Sequence, residues 1–331
     1  MKKKIGYALL IILVVIISVG YYYIRKFNNA FFAEKTNYLT YSYESKPIHF
    51  DWVINSKGSG GYIEPQAAII FPVKINGLSH RFHLQFDTGA PHSYIYENDL
   101  KSLRALGIDI KEVEKNGDRF VEQIEFQLDS NNIKASMVKI LPNYGHSFDK
   151  NDTISKIGIG TIGSDFITNK ISSIDFKNQT LELYNQRPNW MQTLPEFKPF
   201  DFTGRRIMLP TKIKDKEYEL FYDSGCSAFG IITIKSRFDD YVDENAAVIT
   251  YNAKSWNSSI PITSAASSEP ITLGNTELSL KRVSYIDMYT AMQPIATPFT
   301  RIGGWLGNQP FNESTLILDT QKEEFIVVES E

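Results

Sequence analysis

Short runs in which large apolar residues alternate with polar ones, broken by Gly, Asn and Asp, fill the chain beyond residue 61 and predict a mainly β body. Phe82, Leu84 and Phe86 alternate with His83 and Gln85, the period of a strand with one buried face. Asn76-Gly77 just upstream is a hairpin turn signal. Helical spacing is confined to brief pieces such as Tyr96–Leu106. The start of the chain has a different texture. Ile5–Ile24 is an uncharged run preceded by Lys2, Lys3 and Lys4 and closed by Arg25 and Lys26. As a helix it would measure about 30 Å, the thickness of a bilayer's hydrocarbon core. The expectation is a single-pass membrane anchor over residues 1–26, with the body extracytoplasmic because the lysines precede the run. A cleaved signal peptide is the alternative, with Ser18 and Gly20 as small residues near the cut, and it would leave a secreted or periplasmic protein. Residues 27–61, aromatic and polar without a steady period and ending in Lys57-Gly58-Ser59-Gly60-Gly61, read as a stalk.

Comparing the chain with itself adds more than any single window. Phe71–Ala90 (FPVKINGLSHRFHLQFDTGA) recurs as Leu209–Cys226 (LPTKIKDKEYELFYDSGC), so that Phe82, Leu84 and Phe86 match Tyr218, Leu220 and Tyr222. Each copy ends in Asp-Thr/Ser-Gly. A second pair of blocks, Thr161–Leu183 and Trp305–Val327, follows in the same order, and the spacing from Gly163 to Asp175 equals that from Gly307 to Asp319, 12 residues. A weaker pair, Phe126–Ile140 and Ile271–Tyr285, sits between them. The pattern is that of a duplicated fold: a first lobe over 62–188, a linker over 189–206 rich in Pro and turn residues, and a second lobe over 207–331.

The duplication bears on the chemistry. One Asp-Thr/Ser-Gly turn is an ordinary strand-to-turn element, in which Asp and Thr bond nearby backbone and Gly permits a sharp turn. That does not account for an aspartate kept at the same place in both halves, directly after an aromatic strand residue. Two related lobes facing each other across a pseudo-two-fold axis bring Asp87 and Asp223 together. Two close carboxyl groups cannot both ionise cheaply and share a proton. One then serves as base toward a water and the other as acid toward an amide carbonyl, which hydrolyses a peptide bond without a covalent intermediate. Thr88 and Ser224 supply hydroxyls able to lock the two loops together, and Gly89 and Gly225 allow close backbone approach.

These residues resemble the bilobal, pepsin-like aspartic proteases, and the first elbow, Asp87-Thr88-Gly89-Ala90, is closer to retroviral-type proteases. The resemblance covers about Gln66 to Val328. In that family an apolar pair and a Gly thread a loop across each elbow, which Ile162-Gly163 and Leu306-Gly307 match, and the catalytic aspartates fall on Asp87 and Asp223. The resemblance implies a two-lobed β fold, an endopeptidase acting on polypeptides, and a dyad within one chain, so that dimerisation is not required. Three departures stand out. No Tyr-Gly pair marks the expected first-lobe flap, for which Lys115-Asn116-Gly117-Asp118 is a candidate hairpin tip with Phe120 as cover residue. The disulfides of secreted relatives are absent, Cys226 being the sole cysteine. Ala90 and Cys226 stand where the family often places a hydroxyl donating to the carboxylates, so the dyad is expected to hold its proton to higher pH than in acid proteases.

The remaining signals exclude more than they add. The chain has 35 basic and 38 acidic residues; with Lys2–Lys4 in the anchor the body is acidic and has no basic cluster, so nucleic acid is not an expected partner. Gly158-Ile159-Gly160-Thr161-Ile162-Gly163 fits G-x-G-x-x-G but has no convincing strand-then-helix context, and no cofactor is expected. His49, His80, His83, His92 and His146 lack metal-binding spacing and read as surface or turn residues, with His92 and the adjacent Ser93 as turn residues near the cleft; no metal is expected. The rival reading is a catalytically inactive protein that binds extended peptides in the same groove.

Overall fold

Arg81–Phe86 forms the strand its alternation predicts, with Phe82, Leu84 and Phe86 each at most 2% exposed. Each such fully buried side chain contributes about 1.5–3 kcal/mol of transfer free energy. The strand pairs antiparallel with Glu64–Lys74, matching Ile69 to Phe86 and Val73 to Phe82, through a turn in which Gly77 takes φ +81°. The second copy does the same: Met208–Ile213 pairs antiparallel with Lys216–Tyr222, with Leu220 and Tyr222 fully buried. These features come from a computed structural model, which describes residues 18–330 apart from 27, 30, 34, 40, 42–45, 56–62, 76, 257 and 288–301.

The body is mainly β, and its described residues form three sheets. An eight-stranded sheet follows the order 51–55, 64–74, 81–86, 156–162, 94–96, 131–141, 118–128, 111–115. A seven-stranded sheet follows 208–213, 216–222, 305–306, 231–233, 276–285, 258–273, 249–255. Apart from the extra edge strand 51–55, the two orders correspond strand for strand. In each, the strand leading to the Asp turn pairs parallel with the strand from the second repeat block: Phe86 with Ile162, and Tyr222 with Leu306. In each, the first hairpin strand also closes back onto a later one, Val73 to Leu128 and Ile213 to Ile271. The short helices Glu97–Ala105 and Lys235–Tyr241 occupy equivalent places.

The third sheet, six-stranded, is shared by the two halves. Ile171–Asp175 pairs antiparallel with Ser314–Asp319, its equivalent in the second repeat. The register is crosswise: Ile171 lies opposite Asp319 and Asp175 opposite Thr315, with Ser173 facing its own counterpart Ile317. The pseudo-two-fold axis therefore runs between Ser173 and Ile317.

Two expectations require correction. Residues 27–61 are not a free stalk. Ile48–His49 pairs with the Thr180–Leu181 edge, and Asp51–Asn55 with Glu64–Ile70, because Ile48 and Phe50, at 1% and 3% exposed, are core residues. The joint Lys57–Gly61 lies outside the described residues. The linker 189–206 is likewise built in: Lys198–Pro199 pairs with Glu324–Phe325 and Met191 is buried. Most of the anchor expected over 1–26 also lies outside the described residues. Residues 18–26 are helical, and no helix among the described residues is long and apolar enough to cross a membrane.

Candidate active site

Each Asp turn is hung from the strand that threads beneath it. Asp87 N–H donates to Ile162 O at 2.9 Å, and Asp223 N–H to Leu306 O at 2.9 Å. Gly163 and Gly307, the next residues, run so close under the turns that a Cβ at Gly163 would lie 2.4 Å from His92 O and one at Gly307 2.2 Å from Cys226 O. The repeat blocks thus meet in space as well as in sequence.

The turns are joined by four bonds that obey the two-fold relation. Thr88 N–H donates to Ser224 Oγ and Ser224 N–H to Thr88 Oγ1, both at 2.9 Å. The hydroxyls pass their own protons onward, Thr88 to Tyr222 O at 3.3 Å and Ser224 to Phe86 O at 3.0 Å. Both side chains are fully buried, so every donor and acceptor in this lock depends on the opposite lobe. Thr88→Val keeps the shape but leaves Ser224 N–H and Tyr222 O without a partner. We expect a loss of about 2–4 kcal/mol, read by denaturant unfolding, with a larger loss of activity than of fold.

The lock sets the Asp87 and Asp223 carboxyl groups side by side: a Cβ on Gly225 would lie within 3.0 Å of both. Gly89 and Gly225 are required for this on crosswise grounds. A Cβ on Gly89 would fall 2.5 Å from the Asp223 carboxyl group, and one on Gly225 2.7 Å from that of Asp87. Ala90 N–H donates to Asp87 Oδ1 at 3.2 Å, and Gly225 N–H to Asp223 Oδ1 at 2.8 Å. Burial pushes the Asp87 carboxyl well above the usual carboxylate range, the negative charge of Asp223 adds to the effect, and the backbone N–H donors oppose it. Cys226 Sγ sits 3.3 Å from Asp223 Oδ2 as a weak donor, and burial, then Asp223, pushes its thiol up, which keeps it a thiol. All six residues expected at the dyad are therefore brought together.

Further side chains support the turns. Ser93, expected as a turn residue, ties the first one: its N–H and hydroxyl donate to buried Asp165 at 2.8 and 2.7 Å, and its Oγ accepts from Gly163 N–H. Asn308 does the corresponding work in the second half, donating to Ser227 Oγ at 2.7 Å and accepting from Tyr222 OH at 2.8 Å. Arg206, assigned to the linker by sequence, reaches the dyad's rim. It donates to Gly89 O, and its guanidinium lies over Phe31 at 4.2 Å and Phe221 at 5.5 Å. Phe31 thereby packs edge-on against Phe221, 5.4 Å away, beside the elbow. Nothing local marked Arg206; Phe31, Phe221 and Gly89 O give it its place.

The dyad forms the floor of a chamber of about 410 Å³. Phe229, Ile232, Ile262, Ile286 and Trp305 form its apolar wall in the second half, Tyr96 and Tyr144 face it from the first, and residues 253–256 lie across it. The expected cover is elsewhere. Phe120 is fully buried against Tyr38, 4.7 Å away, and Lys115 sits over the same Tyr38 ring, so the first-lobe hairpin is committed to the incoming chain and does not face the aspartates. A separate cavity of about 630 Å³ contains His80 and His83. These are packed residues, not surface ones: His80 stacks on Phe82 at 5.3 Å, and burial pushes His83 down to about 4. Gly158–Gly163 runs as a strand into a 3-10 turn, with Gly160 and Gly163 pressed on Tyr94 O and His92 O, so its glycines serve packing.

Comparison with protein-family models finds none that matches this chain, and comparison with curated proteins finds no relative.

Proposed function

We propose that this chain is an aspartic endopeptidase of the bilobal, pepsin-like kind, tethered to a membrane by residues 1–26. The observation that carries the reading is the pair of adjacent carboxyl groups at the floor of a chamber, held by reciprocal Thr88 and Ser224 bonds. Asp87 keeps the shared proton because burial and its neighbour's charge oppose its loss. A water seated between the carboxyls gives a proton to Asp223 as its oxygen attacks the scissile carbonyl carbon. Asp87 donates its proton to the carbonyl oxygen, forming a gem-diol. The amine then leaves with the proton taken up by Asp223, while Asp87 recovers its own from the collapsing diol. Catalysis rests on two preplaced groups and requires no nucleophilic side chain.

Digestion of a diverse peptide library by the full chain between about pH 3 and pH 8 tests this, with Asp87→Asn as the blank. Cuts that appear with the wild type and vanish with Asp87→Asn support it. Binding of the same peptides by both proteins, with no cut at any pH, overturns it in favour of a peptide-binding protein.

The pH dependence has a stated sign. Asp87 retains its proton above the ordinary aspartate value of about 4, so activity persists into mildly acidic to neutral pH and declines only when the last shared proton leaves. Ala90→Ser adds a hydroxyl at the residue whose N–H already reaches Asp87 Oδ1, favouring the ionised form. Its alkaline limb in kcat/KM is expected at lower pH than the wild type's. A wild-type profile peaking in strong acid contradicts the assignment.

A further inference from the structure

We propose that the groove is closed from the second half, by the hairpin Ile249–Ser255/Ser258–Leu273, and that Trp256 at its tip is the residue that settles onto bound peptide. The inference rests on the endopeptidase reading and extends it. In strand order this hairpin is the counterpart of Lys111–Lys115/Asp118–Leu128. The two have diverged in what they touch. The first-half hairpin packs on Tyr38, whereas Ala253, Lys254, Ser255 and Trp256 lie over the chamber that contains Asp87 and Asp223.

Trp256 reaches across to the opposite half. Its ring meets Tyr94 edge-on at 5.9 Å and lies against Tyr144 at 5.7 Å, and Tyr144 in turn contacts Tyr96 at 4.6 Å. Trp256 bridges the groove above the dyad through these ring contacts, while the hairpin's stem is a regular ladder, paired from Ile249–Ser264 to Ser255–Ser258. Such a bridge is weak compared with the stem that carries it, so the tip lifts while the stem holds. The strand 249–255 is the outermost of its sheet, and its outer edge has no pairing strand among the described residues, so the ladder holds it from one side.

The backbone supplies an independent observation. Trp256 has φ +51°, the left-handed region, where a bulky side chain is an outlier. The equivalent turn in the first half uses Asn116 and Gly117, residues suited to that conformation. A large indole held at a position that favours Asn or Gly points to a task for the ring itself. The chamber beneath it has an apolar wall, Phe229, Ile232, Ile262, Ile286 and Trp305, so the side chain enclosed there is a large apolar one.

Trp256→Gly separates the two roles. It relieves the backbone, so the melting temperature stays level or rises, yet it removes the cover. For the best-cut library peptide, kcat/KM is expected to fall about tenfold or more, with KM raised and kcat lowered together, and Trp256→Phe is expected to restore most of it. In an Asp87→Asn/Trp305→Phe background, which removes the indole of the chamber wall, binding of that peptide shifts tryptophan emission, and adding Trp256→Phe removes the shift. Undiminished cleavage by Trp256→Gly, or an emission shift that persists without Trp256, overturns the proposal while leaving the protease reading intact. An inert wild type overturns both.

Discussion

Asp87→Asn is expected to cut no peptide, with kcat reduced at least about 10³-fold, and yet to melt above the wild type at neutral pH. The first result follows from removing the proton that the mechanism gives to the carbonyl oxygen. The second follows from linkage. An unfolded chain releases the Asp87 proton near pH 4, whereas in the folded protein burial and then the Asp223 charge hold that proton to a higher pH. The native state binds the proton more tightly, so the contribution of Asp87 to stability is complete below about pH 4 and is lost as pH rises through the folded value. Asn carries no such penalty. Calorimetry across pH should therefore show the variant's advantage at pH 7 shrinking to nothing near pH 4. Asp223→Asn should abolish cleavage equally. A folded Asp87→Asn protein retaining a tenth of wild-type cleavage would exclude the dyad mechanism.

Gly307→Ala is expected to be the most damaging single change to the fold near the site. The added methyl would lie 2.2 Å from both Cys226 O and Phe229 O, which are backbone atoms that cannot swing aside. Gly307 N–H also donates to Gly230 O, so the strand cannot retreat without giving up that bond. A loss of about 3 kcal/mol, or a fall in melting temperature of roughly 4–6 °C, is expected by thermal unfolding. Gly163→Ala tests the symmetric position, where His92 O and Ala90 O lie 2.4 and 2.7 Å from the added carbon. Because Cys226 and Ala90 belong to the Asp turns, both variants should lose activity at temperatures where they are still folded. A Gly307→Ala protein with wild-type melting and cleavage would mean that the threaded strand does not set the turn.

The dyad was legible because its determinants are local and occur twice. Phe82, Leu84 and Phe86 set a strand by alternation, Asp87-Thr88-Gly89 ends it, and the second copy repeats both, so comparing the chain with itself located two triplets that lie far apart in sequence. The apolar pairs before Gly163 and Gly307 were legible for the same reason. The cover was not. The two outer hairpins have the same pattern of strands and turn, and which of them overlies the aspartates depends on Tyr38 having taken the surface of the first. Ile48 and Phe50 were passed over as stalk because strands of two and five residues are too short to show a period, and their burial depends on partners more than 100 residues away, such as Leu181. Arg206 illustrates the same limit: its guanidinium is placed by Phe31 and Phe221, on either side of it in sequence and neither near it. What depends on one segment's own periodicity could be read; what depends on which distant segment arrives first to cover a face could not.

The crosswise pairing of Ile171–Asp175 with Ser314–Asp319 bears on how such a molecule could arise. Since each strand meets its own equivalent in antiparallel register, an ancestral chain half this length could have joined with an identical copy along that edge, each contributing one acid to a shared centre. Within this one chain the two halves differ in their outer hairpins: the first packs on Tyr38, and the second lies over the chamber that contains both aspartates.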